Sequence, residues 1–291
     1  MMAALVLLAA ILGLLIPGPR RFAEDLLGSD SKRLWAGAMF LACLLLAEAA
    51  RLHALNLGLA LLVFSYTSVP TLALHGVKPG SGACWRDAVA ILLLWLPLEF
   101  AAGATLVPKA AQSTLHTVAY GIAITLALML FLLKRRLPGM EYNLPLRLSD
   151  FRNTLTGFAV SIPVLIPLGL WLGFLRPFHP MHFSVPGLLL RMLVIFAGTA
   201  LPEEILFRSL IQNSVMQRIG PSRPWLAIVV AGLIFGCAHL DNGPQALPNW
   251  RYAVLASLAG MIFGAVFAKS SSVVASAMVH MAVDTTKHAW F

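Results

Sequence analysis

Residues 114–133, TLHTVAYGIAITLALMLFLL, run for 20 positions without a charged side chain. As an α-helix such a segment spans ~30 Å, the apolar thickness of a bilayer. Further apolar runs lie at 2–16, 34–50, 52–74, 88–107, 153–175, 188–217, 225–240, 252–268 and 273–290. Over its 291 residues the chain is 59% hydrophobic and 11% charged, with a mean hydropathy of +0.83. An ordinary soluble domain carries about 25% charged residues, so this chain cannot clothe a globule in a hydrated surface. The water-soluble enzyme classes are excluded as wholes. A transmembrane β-barrel would instead show alternating segments of ~10 residues. The sequence predicts an all-α, polytopic membrane helical bundle of about 8–10 transmembrane helices.

The net charge is +9, from 21 Lys and Arg against 12 Asp and Glu. In a soluble protein that excess would suggest nucleic acid. Here the basic residues fall in short loops and fix topology, so no nucleic-acid partner is expected. With the first residue outside and the runs alternating, fourteen Lys and Arg lie in inside loops against six outside. That ratio follows the positive-inside rule. The expectation is a multi-pass integral membrane protein, in the inner or plasma membrane if the cell is bacterial. Cys43, Cys84 and Cys237 are scattered, which argues against both a disulfide framework and a zinc knuckle. At the N-terminus, positive charge follows the first apolar run at Arg20 and Arg21. This suits a retained anchor better than a cleaved signal peptide.

Ionisable groups are sparse in the apolar runs before residue 187 and several occur after it. The division expected is 1–187, transmembrane helices of unassigned role, and 188–291, a catalytic core. An ionisable side chain inside a membrane helix costs ~2.5–3.5 kcal/mol on insertion scales and is a functional candidate by default. Glu48 has Arg51 beside it and reads as an interfacial ion pair, and Glu99 as a buried, hydrogen-bonded carboxyl. LPEEILFRSLIQ, beginning at Leu201, is more informative. Glu204 and Arg208 stand four apart on one helix face and can pair. Glu203 points about 100° away and has no fixed partner. Pro202 suits a helix start or a kink, and a start there would favour an ionised Glu203 through the helix dipole.

Two more elements follow. Phe235 and His239 lie four apart, with His239 near the end of its span. Ser276, His280 and Asp284 repeat every four residues and project from one face of the last helix. Between them, Ala256, Gly260, Gly264 and Ala268 form a stripe of small residues that lets helix backbones approach closely.

The order EExxxR (Glu203, Glu204, Arg208), FxxxH (Phe235, His239), a Gly-xxx-Gly helix and HxxxD (His280, Asp284) resembles the CAAX protease and bacteriocin-processing family, CPBP or Abi. These are intramembrane endopeptidases and include the eukaryotic prenyl-protein CAAX endopeptidase. The resemblance covers residues 188–286. It implies a helical bundle around a conical, water-accessible cavity, with Glu203 as the general base that activates water and His239 assisting it. His280 and the position of Asp284 would stabilise the tetrahedral oxyanion. Glu204, Arg208 and Phe235 would brace the site. The family's last motif is commonly HxxxN. An asparagine amide donates to an oxyanion whereas an ionised aspartate only accepts, so Asp284 would be protonated, orient His280 or bind a metal.

The expected activity is hydrolysis of a peptide bond in a membrane-associated substrate, lipid-modified in the CAAX manner or not, by a glutamate-activated water. The expected partners are a peptide or protein substrate at the membrane and the lipid bilayer. No cofactor is expected, although Glu203, His239, His280 and Asp284 could hold a divalent metal such as zinc. A different reading is a non-catalytic membrane scaffold or immunity-type binding protein of the same family. A proton- or ion-coupled transporter would need polar residues along the whole path across the bilayer. Here they gather at one end of the chain.

Overall fold

The structure is a computed structural model and describes residues 2–28, 30–144, 147–181, 183–220, 222–243 and 245–291. Among the described residues there are helices and no strand. The chain forms two compact units, Met1–Pro138 and Gly139–Phe291.

The first unit holds α1 (Met2–Gly13), α2 (Pro17–Leu27), α3 (Ser31–Arg51), α4 (Leu57–Ala73), α5 (Trp85–Glu99) and α6 (Lys109–Lys134). Caps set several of the boundaries. The Asp30 side chain accepts from the Lys32 amide to start α3, and Asn56 accepts from Leu59 to start α4. α1 and α2 meet at 104°, with Pro17 opening α2, and no side chain of α2 is buried. α3 packs on α4 and α4 on α5, while α1 and α3 cover α6. The Glu48–Arg51 pair closes at 2.6 Å. Glu99 differs from expectation. It accepts from Trp95 Nε1 at 2.8 Å but is exposed, because α5 stops there.

The second unit holds α7 (Leu148–Trp171), α8 (Val185–Ile219), α9 (Pro224–Cys237), α10 (Trp250–Ser270) and α11 (Val273–Trp290). Asn249 caps α10 through the Tyr252 amide, and Ser272 caps α11 through that of Ala275. α9 and α10 lie closest. Gly232 and Gly260 face each other there, so that a Cβ on Gly260 would come within 3.2 Å of the Gly232 Cα. Ala256, Gly260 and Gly264 of the small-residue stripe are buried, and the stripe ends at the exposed Ala268. α7 and α11 complete the packing around α10, and α8 lies against α11.

All ten apolar runs are helical, and the chain is a multi-pass helical membrane protein. Among the described residues, five helices (α3, α6, α7, α8 and α10) are long and apolar enough to cross a bilayer, or six if α1 and α2 form one bent span. The expected eight to ten rested on run length, and several helices stop short of their runs. The run 52–74 begins with a turn before Asn56 caps α4, which leaves 17 residues, and α9 ends at Cys237 after 14. α5 is 15 residues long with charges at both ends, and α11 is interrupted by Asp284 and Lys287.

Candidate active site

α8 carries the glutamate pair in Leu201–Glu204, between two stretches that widen into π-helical turns, Phe196–Ala200 and Ile205–Gln212. The widened turn before Pro202 accommodates a residue that has no N–H to donate. Of the two roles expected for Pro202, a helix start or a kink, the helix start is not found. α8 runs on through it, so no helix N-terminus acts on Glu203.

The two adjacent carboxyls are held in opposite ways. Glu204 is saturated. Its Oε2 accepts from Arg208 Nε at 2.8 Å and from the Ser276 hydroxyl, and its Oε1 accepts from His280 Nδ1 at 3.1 Å. Both Glu204 and Arg208 are fully buried. The guanidinium also lies 5.3 Å from the centre of the Phe235 ring, a cation–π contact. Glu203 Oε2 is buried and has no hydrogen-bond partner among the described residues, although the side chain as a whole stays 22% exposed. The basic side chain nearest to it is His280, with Nε2 at 3.9 Å.

α11 brings Ser276, His280 and Asp284 to this point on one face, as their spacing implies. His280 sits among three carboxyls. A carboxylate only accepts, so Nδ1–H donates to Glu204. Nε2 faces Asp284 Oδ2 at 3.5 Å and Glu203 Oε2 at 3.9 Å. The imidazole is stacked on Phe263, with centroids 4.7 Å apart and planes 20° apart.

His239 follows the end of α9. Its Nδ1 lies 2.8 Å from the Phe235 carbonyl. A carbonyl cannot donate, so Nδ1 carries the proton and Nε2 of the neutral ring is left as an acceptor. Phe235 joins the parts of the site. Its ring meets His239 at 4.6 Å, His280 edge-on at 5.7 Å and Phe207 edge-on at 4.8 Å. His239, His280 and Asp284 line one cavity of about 80 Å³, room for several waters. Glu203 is not part of that lining and meets it through His280.

Among the described residues no three His, Cys, Asp or Glu side chains are disposed to hold a metal ion, the set Glu203, His239, His280 and Asp284 included. The Nδ1 atoms of both histidines are engaged with acceptors of the protein itself.

Residues 185–286 match the family model described as Type II CAAX prenyl endopeptidase Rce1-like. This segment is similar to that family. It contains every residue of the constellation, from Glu203 to Asp284. No curated protein and no solved structure matches the chain. Sequence reasoning singled out the titratable members of the Rce1-like segment but not their aromatic neighbours Phe263 and Tyr252, whose ring lies 4.6 Å from His239. A ring that orients a histidine looks in sequence like any core aromatic. Lys287, which lines the same cavity, was legible in principle, since it continues the face of positions 276, 280 and 284.

Proposed function

We propose that the Rce1-like segment is an intramembrane endopeptidase in which Glu203 activates water against a peptide bond of a membrane-associated, CAAX-like substrate. The observation that carries this reading is the contrast between neighbouring glutamates. Glu204 is tied by Arg208, Ser276 and His280, while Glu203 keeps a buried oxygen without a partner at the edge of a histidine-lined cavity. A structural carboxyl is satisfied, and a base must have a lone pair to spare. Glu203 takes a proton from water as the water oxygen bonds to the scissile carbonyl carbon. It returns that proton to the leaving nitrogen as the C–N bond breaks. His239 assists through the lone pair on Nε2. His280 Nε2 is the donor for the oxyanion, and Asp284 orients that ring rather than donating itself. Water activation in this scheme needs no metal.

The test uses purified protein in liposomes with free and prenylated C-terminal peptides, read by mass spectrometry. Glu203→Gln should lower cleavage at least ~10²-fold while its unfolding transition stays in place. A chelator should leave the wild-type rate unchanged. Cleavage by Glu203→Gln at the wild-type rate would overturn the proposal and favour a scaffold or immunity-type binding role.

A further inference from the structure

The first unit holds a cavity that the proposed chemistry does not use. α4 and α6 each pack on α3 and α5. The space between them measures about 350 Å³, within the usual range for ligand pockets between helices. Its walls include Leu45 of α3, Leu59 and Val63 of α4, Leu98 of α5, and Leu115 and Ala119 of α6. The sequence explains the space. α5 ends at Glu99, just past Pro97, and residues 101–104 (AAGA) that follow bring almost no side-chain volume. This segment covers one end of the cavity and is pinned on both sides. The Ala104 carbonyl accepts from Gln112 Nε2 of α6 at 2.8 Å, and the Leu106 carbonyl from Asn56 Nδ2 at the start of α4 at 2.7 Å. Gly103, at φ +90°, comes so near α4 that a Cβ would lie 2.6 Å from the Leu62 side chain.

One edge of the cavity is polar. Ser113 and His116 stand three apart on α6 and line it, and neither side chain has a partner among the described residues. Lys109 lies one turn nearer the helix end on the same face, exposed and without an ion pair among the described residues. Glu99, the acid closest to it in sequence, is bonded to Trp95 and is not part of the lining. α6 is long and apolar enough to cross the bilayer and begins at Lys109, so this edge lies at the membrane–water interface. We infer that the cavity binds a long-chain carboxylate, a free fatty acid of about a dozen carbons. The chain lies between α4 and α6, and the carboxylate meets the Lys109 ammonium and accepts from Ser113 and His116. At ~30 Å³ for each methylene-sized group, the volume of a water, the space takes one such chain and not the two of a phospholipid. One lysine and two uncharged donors match a single anion.

The deciding measurement is photolabelling of the full chain in phosphatidylcholine nanodiscs. The probe is dodecanoic acid carrying a diazirine at its far end, and labelled residues are mapped by mass spectrometry. Labels should fall on the cavity walls. Unlabelled dodecanoate should compete about tenfold more strongly than its methyl ester, the range expected for one hydrogen-bonded charge pair. Ala119→Phe fills the cavity and should abolish the labelling with its unfolding transition in place. Lys109→Met, at an exposed position that folding does not require, should erase the preference for acid over ester, and Lys109→Arg should keep it. No labelling, labels confined to side chains outside the cavity, equal competition by acid and ester, or a preference that survives Lys109→Met would each overturn the assignment. Equal labelling of the same walls by a diazirine-bearing phosphatidylcholine would overturn it too, and give the cavity to a lipid of the bilayer.

Discussion

Arg208 Nε lies 2.8 Å from Glu204 Oε2, and neither side chain has any exposed surface. The pair is four residues apart on one helix, yet its importance is tertiary, because Glu204 also ties α8 to Ser276 and His280 of α11. Two charges out of water are tolerated only while they neutralise each other. Removing one leaves the other buried and alone, at a cost of about 3–5 kcal/mol. Glu204→Gln and Arg208→Met should therefore each lower stability by that order in reversible unfolding from detergent. The double variant should lose clearly less than the two singles together. Additive losses would mean that the pair is not the unit that matters.

The approach of α9 to α10 gives a second prediction. A Cβ on Gly236 would meet the Ser257 hydroxyl and the Ala253 carbonyl, the latter at 2.5 Å. A backbone carbonyl cannot swing aside as a side chain can, so the helices must part. Gly236→Ala should cost about 1–3 kcal/mol. Gly18→Ala on α2 meets nothing within 4 Å. There the gain in helix propensity should dominate, and stability should hold or rise by about 0.5 kcal/mol. Thermal shifts of the two variants in one detergent provide the comparison.

How legible each feature was in the sequence follows from the kind of signal it leaves. Spacing of four on a helix fixes a shared face by helical geometry alone, so Glu204 with Arg208, and Ser276 with His280 and Asp284, were readable directly. Glu203 was readable by elimination, as the glutamate left without a partner. The continuity of α8 through Pro202 was not, because a π-helical turn depends on packing and leaves no local pattern. Helix length was overstated for the same kind of reason. Asn56 and the end of α9 at Cys237 cut runs that hydropathy alone counts as whole. The exposure of Glu99 was hidden likewise, since nothing local says that α5 ends at that residue.

In the first unit a second buried pair invites the same scrutiny. Arg135 reaches both oxygens of Asp87 from Nε and Nη2, at 3.1 and 3.3 Å, and donates further to the carbonyls of Lys78 and Gly82. Asp87 also accepts from the Cys84 amide at the start of α5. Asp87→Ala removes the only carboxylate among these partners and the cap together. The expected loss is about 3–5 kcal/mol, with the segment joining α4 to α5 opening first. Hydrogen exchange at residues 78–84 should rise well before that of α6. Exchange that rises uniformly over the whole unit would instead mark Asp87 as a global strut.

Asp284 is the position where this chain departs from the HxxxN pattern of the family it resembles, and the mechanism proposed above gives it an orienting role. Its Oδ2 lies 3.5 Å from His280 Nε2, on the same helix one turn away. If Asp284 orients His280, the required property is an acceptor at that point, and asparagine keeps one in its amide oxygen. Asp284→Asn should therefore retain kcat/KM within about threefold, since the ring keeps its position. Asp284→Leu removes the acceptor while keeping most of the volume. The ring is then free to turn, and kcat should fall about 10²-fold with KM little changed, as for an interaction used in the transition state rather than in substrate binding. A large gain in kcat for Asp284→Asn would point elsewhere. It would mean that the amide donates to the oxyanion and that the aspartate holds the native rate down.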